Sequence, residues 1–232
     1  MKRRDAALPS VDRGALTQWV DATHPDSIAP PRQTCRMNPA SNLVLVGPMG
    51  AGKSSIGRRL AGRFGLRFVD ADREIERQTG TSIATIFGCE GEDGFRARER
   101  TLLAEVLAAD GLLLATGGGA VLDAGTRDLL RARAFVVHLH VAPATQLARL
   151  ARDRVRPLLG AAGKHPSDRE ALLRDLAAVR DPLYRDVADL RFETGEAAPG
   201  HAAVALGHLL DGVWQRAATA TDAASVTAAS AP

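Results

Sequence analysis

Gly47, Gly50 and Gly52 run straight into Lys53 and Ser54, giving Gly-x-x-x-x-Gly-Lys-Ser within LVLVGPMGAGKSS at residues 43–55. Glycines at this spacing let successive backbone N–H groups turn toward phosphate oxygens, and a helix that follows adds its positive end. The lysine suits the β- and γ-phosphates of a nucleotide, and the serine hydroxyl suits Mg²⁺. The setting is the one this P-loop pattern requires, with an apolar strand before it and a helical period after it. The cradle of Gly50, Ala51, Gly52, Lys53, Ser54 and Ser55 is therefore expected to hold a nucleotide.

Other residues ask what receives the phosphate. Simple nucleotide hydrolases end a second apolar strand in an acid that steadies Mg²⁺, but LLLAT at 112–116 breaks instead into Gly117, Gly118 and Gly119. Asp70 is then the best-placed carboxylate. Asp72, two residues on, faces the same way if the chain is extended there. It suits hydrogen bonds from a substrate hydroxyl, for which it is also a base or orienter, or it caps the helix that begins at REIERQTG. The triple glycine reads either as a flexible turn or, preferably, as backbone approached closely by a small ligand. Arg96 and Arg185, placed at element edges, each offer a fork for a carboxylate or phosphate. Glu99 stands three residues after Arg96, either holding it or forming a solvated pair. The basic segment RDRVRPLLGAAGKHP reads as a mobile lid that lays Arg156 over the phosphates, or as a solvated loop.

The elements that must position these groups alternate. Strands are expected at 43–46, in LRFVDAD, in LLLAT, at 135–141 and at 189–193. Helices are expected at about 53–64, in REIERQTG, in SIATIFG, and at 94–110, 124–132, 143–152, 168–180 and 199–215. Alternation without hairpin turns predicts a parallel sheet covered on both sides. The fold class expected is α/β: a P-loop NTPase-type three-layer α/β/α domain over residues 41–215, with five parallel strands flanked by helices. Ligands of such sheets sit at the carboxyl ends of the strands, so the P-loop, Asp70, Asp72 and the triple glycine should share one crevice.

Composition bounds the remainder. The 232 residues are 45% hydrophobic, 25% charged and only 4% aromatic, with a net charge of +3. No basic run is interleaved with aromatics, so nucleic acid is not an expected partner. No apolar run reaches the ~18 residues of a membrane helix, and Arg3 and Arg4 precede no apolar segment that would make a secretory signal. Cys35 and Cys89 have no metal spacing and read as reduced thiols of a cytoplasmic protein. His138 and His140, on one face of FVVHLHV, are expected at an edge or surface. Residues 1–40 are broken by Pro30, Pro31 and Pro39 and read as a disordered leader, with a short helix possible at Trp19 and Val20 and a native start at Met37. Residues 216–232 read as a low-complexity disordered tail.

In order along residues 41–195, GPMGAGKSS, DADREIE, SIATIFGCEGEDGFRARE, LLLATGGGAVL, RDRVRPLL and RDPLYRDVA resemble the shikimate kinases. That resemblance implies transfer of the γ-phosphate of ATP to the 3-hydroxyl of shikimate, on the route to chorismate and the aromatic amino acids. It implies phosphates on Lys53 and the loop amides, and Mg²⁺ on Ser54 with help from Asp70 through water. Asp72 is implied to bind shikimate hydroxyls, Arg96 and Arg185 to clamp its carboxylate with Glu99 behind Arg96, and Gly118 with its neighbours to touch substrate through backbone. Arg156 is implied as the lid arginine on ATP, Arg149 as an adenine-stacking arginine, and a monomer as the working form. Two features depart from the pattern. Ser55 replaces the commoner threonine, and TGEAAPG lacks the basic or amide residue that often helps hold adenine. The competing readings are a kinase for another polyol acid, such as a gluconate-type kinase, and a regulatory module that binds ligand without turnover.

Overall fold

The structure is a computed structural model that describes residues 19–21, 40–151 and 166–215. Its strands are β1 (Trp19–Asp21), β2 (Asn42–Val46), β3 (Arg67–Asp70), β4 (Leu112–Ala115), β5 (Ala134–His140) and β6 (Leu190–Glu193). Its helices are α1 (Lys53–Phe64), α2 (Ala71–Thr79), α3 (Ile83–Leu107), α4 (Ala124–Arg133), α5 (Pro143–Leu150), α6 (Pro166–Val187) and α7 (Pro199–Val213). The strands lie in the order β1-β6-β5-β2-β4-β3, and every pair is parallel. From β2 the chain builds outward to β4 and β3 on one side, then to β5 and β6 on the other. The reversal falls above β2, where such sheets bind ligands.

Period-two alternation divides the core between the two faces of the sheet. Leu43, Leu45, Leu113, Val137 and Leu139 pack with Ile56 and Leu60 of α1 and with Leu206 and Leu210 of α7. Val44, Val46, Leu112, Leu114 and Val136 pack with Leu102 and Leu103 of α3 and with Tyr184 of α6. The five expected parallel strands are all present, flanked by helices on both faces.

Four details differ from the sequence reading. Trp19–Asp21 is a strand rather than a helix, paired with β6 in the register Trp19 to Arg191. SIATIFG and the helix after it run together as α3, with one break at Gly91 (φ 71°, ψ −172°). Helix α6 does not stop at 180 but continues through Pro182 to Val187, which puts DPLYRD on a helix. His138 is fully buried, because β5 lies inside the sheet and α6 covers it. The remainder of the leader, Met37, the basic segment 152–165 with Arg156, and residues 216–232 lie outside the described residues.

Candidate functional site

The P-loop leaves the carboxyl end of β2 and turns on glycines whose conformations other residues rarely adopt. Gly47, Gly50 and Gly52 have φ of 143°, 76° and 91°. At Gly47 a Cβ would stand 2.3 Å from the Leu139 carbonyl oxygen, so the loop lies hard against β5. Gly52 opens α1 with no side-chain cap, which leaves the first-turn N–H groups of α1 to an anion. Lys53 folds back along the loop and donates to the carbonyls of Gly47 (2.7 Å) and Pro48 (2.9 Å).

A cavity of about 650 Å³ opens over this loop, lined among others by Gly50 to Ser55, Asp70, Asp72, Gly118 and Arg149. The two aspartates reach it by a route that simple alternation does not describe. The strand ends at Asp70, whose carboxylate caps α2 by accepting from the Arg73 N–H (3.3 Å). Asp72 already belongs to the first turn of α2. The capping role thus falls to Asp70, and the helix rather than the strand turns Asp72 into the cavity. Among the described residues no group of three or more His, Cys, Asp or Glu side chains could hold a metal ion. Ser54 and Asp70 do line one wall together. That set fits Mg²⁺, which keeps several waters and takes one or two protein ligands plus phosphate oxygens.

Arg149 is held by its edges. Its guanidinium donates to the carbonyls of Gly50 (3.0 Å) and Gly195 (2.5 Å) and to the Thr194 hydroxyl (3.1 Å). Burial lowers its pKa, with Glu193 opposing. With the edges engaged, the flat faces are what remain for a planar base to stack on.

Beside the P-loop the triple glycine explains itself. Gly117 and Gly119 are buried and Gly118 half-buried. A Cβ on Gly117 would meet Glu99 Oε1 at 2.4 Å and Asp72 Oδ1 at 3.0 Å. One on Gly119 would meet the Arg96 guanidinium at 2.0 Å. Gly118 meets Met49 N and the Gly47 carbonyl oxygen only at ordinary contact, 3.6 and 3.7 Å. The outer glycines make room for an ion pair, and the central one, which lines the cavity, lies beside the P-loop backbone.

That ion pair is Arg96 Nη1 to Glu99 Oε2 at 2.5 Å, with side chains 19% and 3% exposed. Glu99 Oε1 is buried without a hydrogen-bond partner. Burial raises the Glu99 pKa against the pull of Arg96, and Asp72 raises it further. Burial opposes the charge on Arg96, but Glu99 and Glu92 outweigh it and hold its pKa above the usual value. A solvated i,i+3 pair is therefore the wrong description. Glu99 is a buried carboxylate that fixes a cation against Gly119.

Arg185 is not brought to this chamber. It is exposed on α6, 3.8 Å from Asp181. Arg180 instead stands beside Gly118, its Nη1 3.7 Å from the position of a Gly118 Cβ, and its charge is felt by Glu99. The signal for it was present in RDPLYRD. On a continuous helix Arg180 and Tyr184 are one turn apart and share a face, whereas Arg185 is turned about 100° from Arg180's neighbour Tyr184. A helix that stopped at 180 would not bring the two side chains onto one face.

The description "Shikimate kinase" belongs to the family profile that matches residues 49–211, more than half of the chain. The chain belongs to the shikimate kinase family. A shikimate kinase of Xanthomonas oryzae pv. oryzae is 56% identical over 179 residues, covering 77% of this chain and 97% of that protein. One from Stenotrophomonas maltophilia is 56% identical over 183 residues, covering 78% and 97%. Among solved structures, the shikimate kinase from Acinetobacter baumannii in complex with shikimate superimposes with a TM-score of 0.69 at 46% identity, covering 75% of this chain and 94% of that one. No helix among the described residues is long and apolar enough to cross a membrane.

Proposed function

We propose that the chain transfers the γ-phosphoryl group of ATP to the 3-hydroxyl of shikimate, releasing ADP and shikimate 3-phosphate. The observation that carries the reading is that Asp72 and Gly118 share one cavity with the P-loop, with the buried Arg96–Glu99 pair packed against the neighbouring Gly117 and Gly119. A cation opposite an acid suits a ligand with one carboxylate and several hydroxyls. It repels the phosphate of a nucleoside monophosphate from the Asp72 side.

In this reading Lys53 and the amides from Gly50 to Ser55 hold the phosphates, and Arg149 offers its face to adenine. Ser54, with Asp70 behind it, would hold Mg²⁺, which would supply neutralisation of the phosphate charge. Asp72 accepts from the substrate hydroxyl and orients it for attack. Arg96 takes the shikimate carboxylate in two-point fashion, and Arg180 rather than Arg185 is the second cation for it. Arg156 is assigned as the lid arginine by the family resemblance alone. Phosphoryl transfer asks chiefly for positioning and charge stabilisation, and these side chains supply both. All the groups named come from one chain, so a monomer acting through residues 41–215 suffices. Dependence on ATP points to the cytoplasm, with neither nucleic acid nor membrane as partner.

A coupled ADP-release assay tests the reading with shikimate and with gluconate, each with Mg²⁺ and with excess EDTA. Turnover is expected with shikimate and Mg²⁺ alone. Equal turnover with gluconate would remove the carboxylate-and-hydroxyl argument.

A further inference from the structure

Tyr184 carries no role in the chemistry above, yet its hydroxyl is committed both to the Gly118 carbonyl and to Arg180. The residue is 1% exposed, and the hydroxyl donates to the Gly118 carbonyl. The Arg180 guanidinium, one helical turn back, faces the same oxygen, and burial pushes the phenol pKa up. The ring itself is fixed from below. It stacks on the buried His138 ring at 4.9 Å and 30°, and His138 in turn meets His140 edge-on at 5.8 Å.

Peptide planarity gives that hydrogen bond a reach beyond its own atoms. The Gly118 carbonyl and the Gly119 N–H belong to one rigid unit, so holding the oxygen toward Tyr184 sends the N–H the opposite way. Flanked by glycines, this peptide has little else to oppose a flip. It includes Gly118, assigned to substrate, and stands beside the Arg180 guanidinium, whose Nη1 lies 3.7 Å from where a Gly118 Cβ would be.

We infer that Tyr184 is a positioning residue for the acceptor half of the reaction, its hydroxyl tying the Gly118–Gly119 peptide and the Arg180 guanidinium into one fixed floor. The inference rests on the proposed shikimate kinase reading and adds to it a group that touches neither substrate. Removing only the hydroxyl leaves the ring stack and its packing in place while freeing both partners.

The test is steady-state kinetics of the full chain and of Tyr184→Phe, with shikimate and with its methyl ester. The variant should raise the KM for shikimate roughly tenfold, the scale of a lost hydrogen bond to a buried carbonyl, while the KM for ATP stays within about twofold. With the ester, which lacks the charge that Arg180 reads, the variant's penalty should shrink at least about threefold. A rise in both KM values together, or a penalty equal for acid and ester, overturns the inference and leaves Tyr184 a packing residue. An unchanged KM for shikimate in the variant overturns it too. If the unaltered chain fails to turn over shikimate, the functional reading itself falls and takes the inference with it.

Discussion

The three consecutive glycines permit a sharp separation of folding from substrate binding. Gly119 has φ −103° and ψ −1°, a conformation an alanine accepts, so Gly119→Ala acts through its methyl group alone. That methyl would lie 2.0 Å from Arg96 Nη2 and 2.5 Å from Cζ. Carbon and nitrogen in contact need about 3.5 Å, so the guanidinium must retreat by about 1.5 Å. Glu99 is only 2% exposed and lies against Gly117, so it is poorly able to follow. The Nη1 to Oε2 separation, now 2.5 Å, then stretches toward about 4 Å. At an effective dielectric constant of about 20 the attraction falls from about 6.6 to about 4.2 kcal/mol, a loss on the order of 2–3 kcal/mol.

Two measurements read that loss. For a domain of this size, thermal unfolding should fall by about 5–10 °C. The kcat/KM for shikimate should fall by about fiftyfold to a hundredfold as the cation leaves its place. Nucleotide affinity, measured by calorimetry with ADP, should hold within about twofold, because nothing in the P-loop is touched. Gly118→Ala is the internal contrast. Its methyl would meet nothing nearer than 3.6 Å, so the melting temperature should move by less than about 2 °C. It projects where the acceptor must lie, so the KM for shikimate should still rise roughly tenfold. Gly119→Ala with an unchanged melting temperature and KM, or Gly118→Ala as the less stable of the two, would refute the reasoning.

Three further outcomes follow from the geometry. Arg180→Ala should raise the KM for shikimate by roughly a hundredfold and Arg185→Ala by less than about threefold; the opposite ranking returns Arg185 to the carboxylate. Gly47→Ala puts a methyl 2.3 Å from the Leu139 carbonyl oxygen at φ 143°, against strand backbone that has no rotamer to relieve it. Its melting temperature should fall by about 10 °C or more, and ATP affinity should go with it; a stable, nucleotide-binding variant would mean that the loop can move off β5. His138 is held neutral by burial, with His140 and Arg191 adding to the effect, and its pKa is pulled from 6.5 to about 3. Its stabilising contribution is therefore fully present above pH 6.5 and is lost as the pH falls toward 3, at about 1.4 kcal/mol per pH unit. His138→Phe should remove this slope in urea unfolding between about pH 6 and pH 4.5, and parallel slopes would show that His138 is protonated in the folded chain.

The glycine cradle and the five core strands were legible because each depends on short-range regularities: a backbone that only glycine adopts, and apolar runs that a doubly covered parallel sheet demands. What escaped the sequence depends on which surface a neighbour covers. His138 and His140 alternate with apolar residues as an exposed strand face would, and only α6 lying across that face buries the first of them. Asp70 and Asp72 were read as two residues of one extended run, but the backbone changes period between them, so a cap stands at one and a helix turn presents the other. The same holds for Arg96 and Glu99. Their spacing says they can meet, and in water such a pair contributes only a few tenths of a kcal/mol. What turns it into a fixed feature of the chamber is the exclusion of water by Gly117 and Gly119, some twenty residues along the chain, which carry no side chain so that the pair can fill the space. The chemistry of this wall is thus set jointly by two charged residues and two absent methyl groups, and either half read alone understates it.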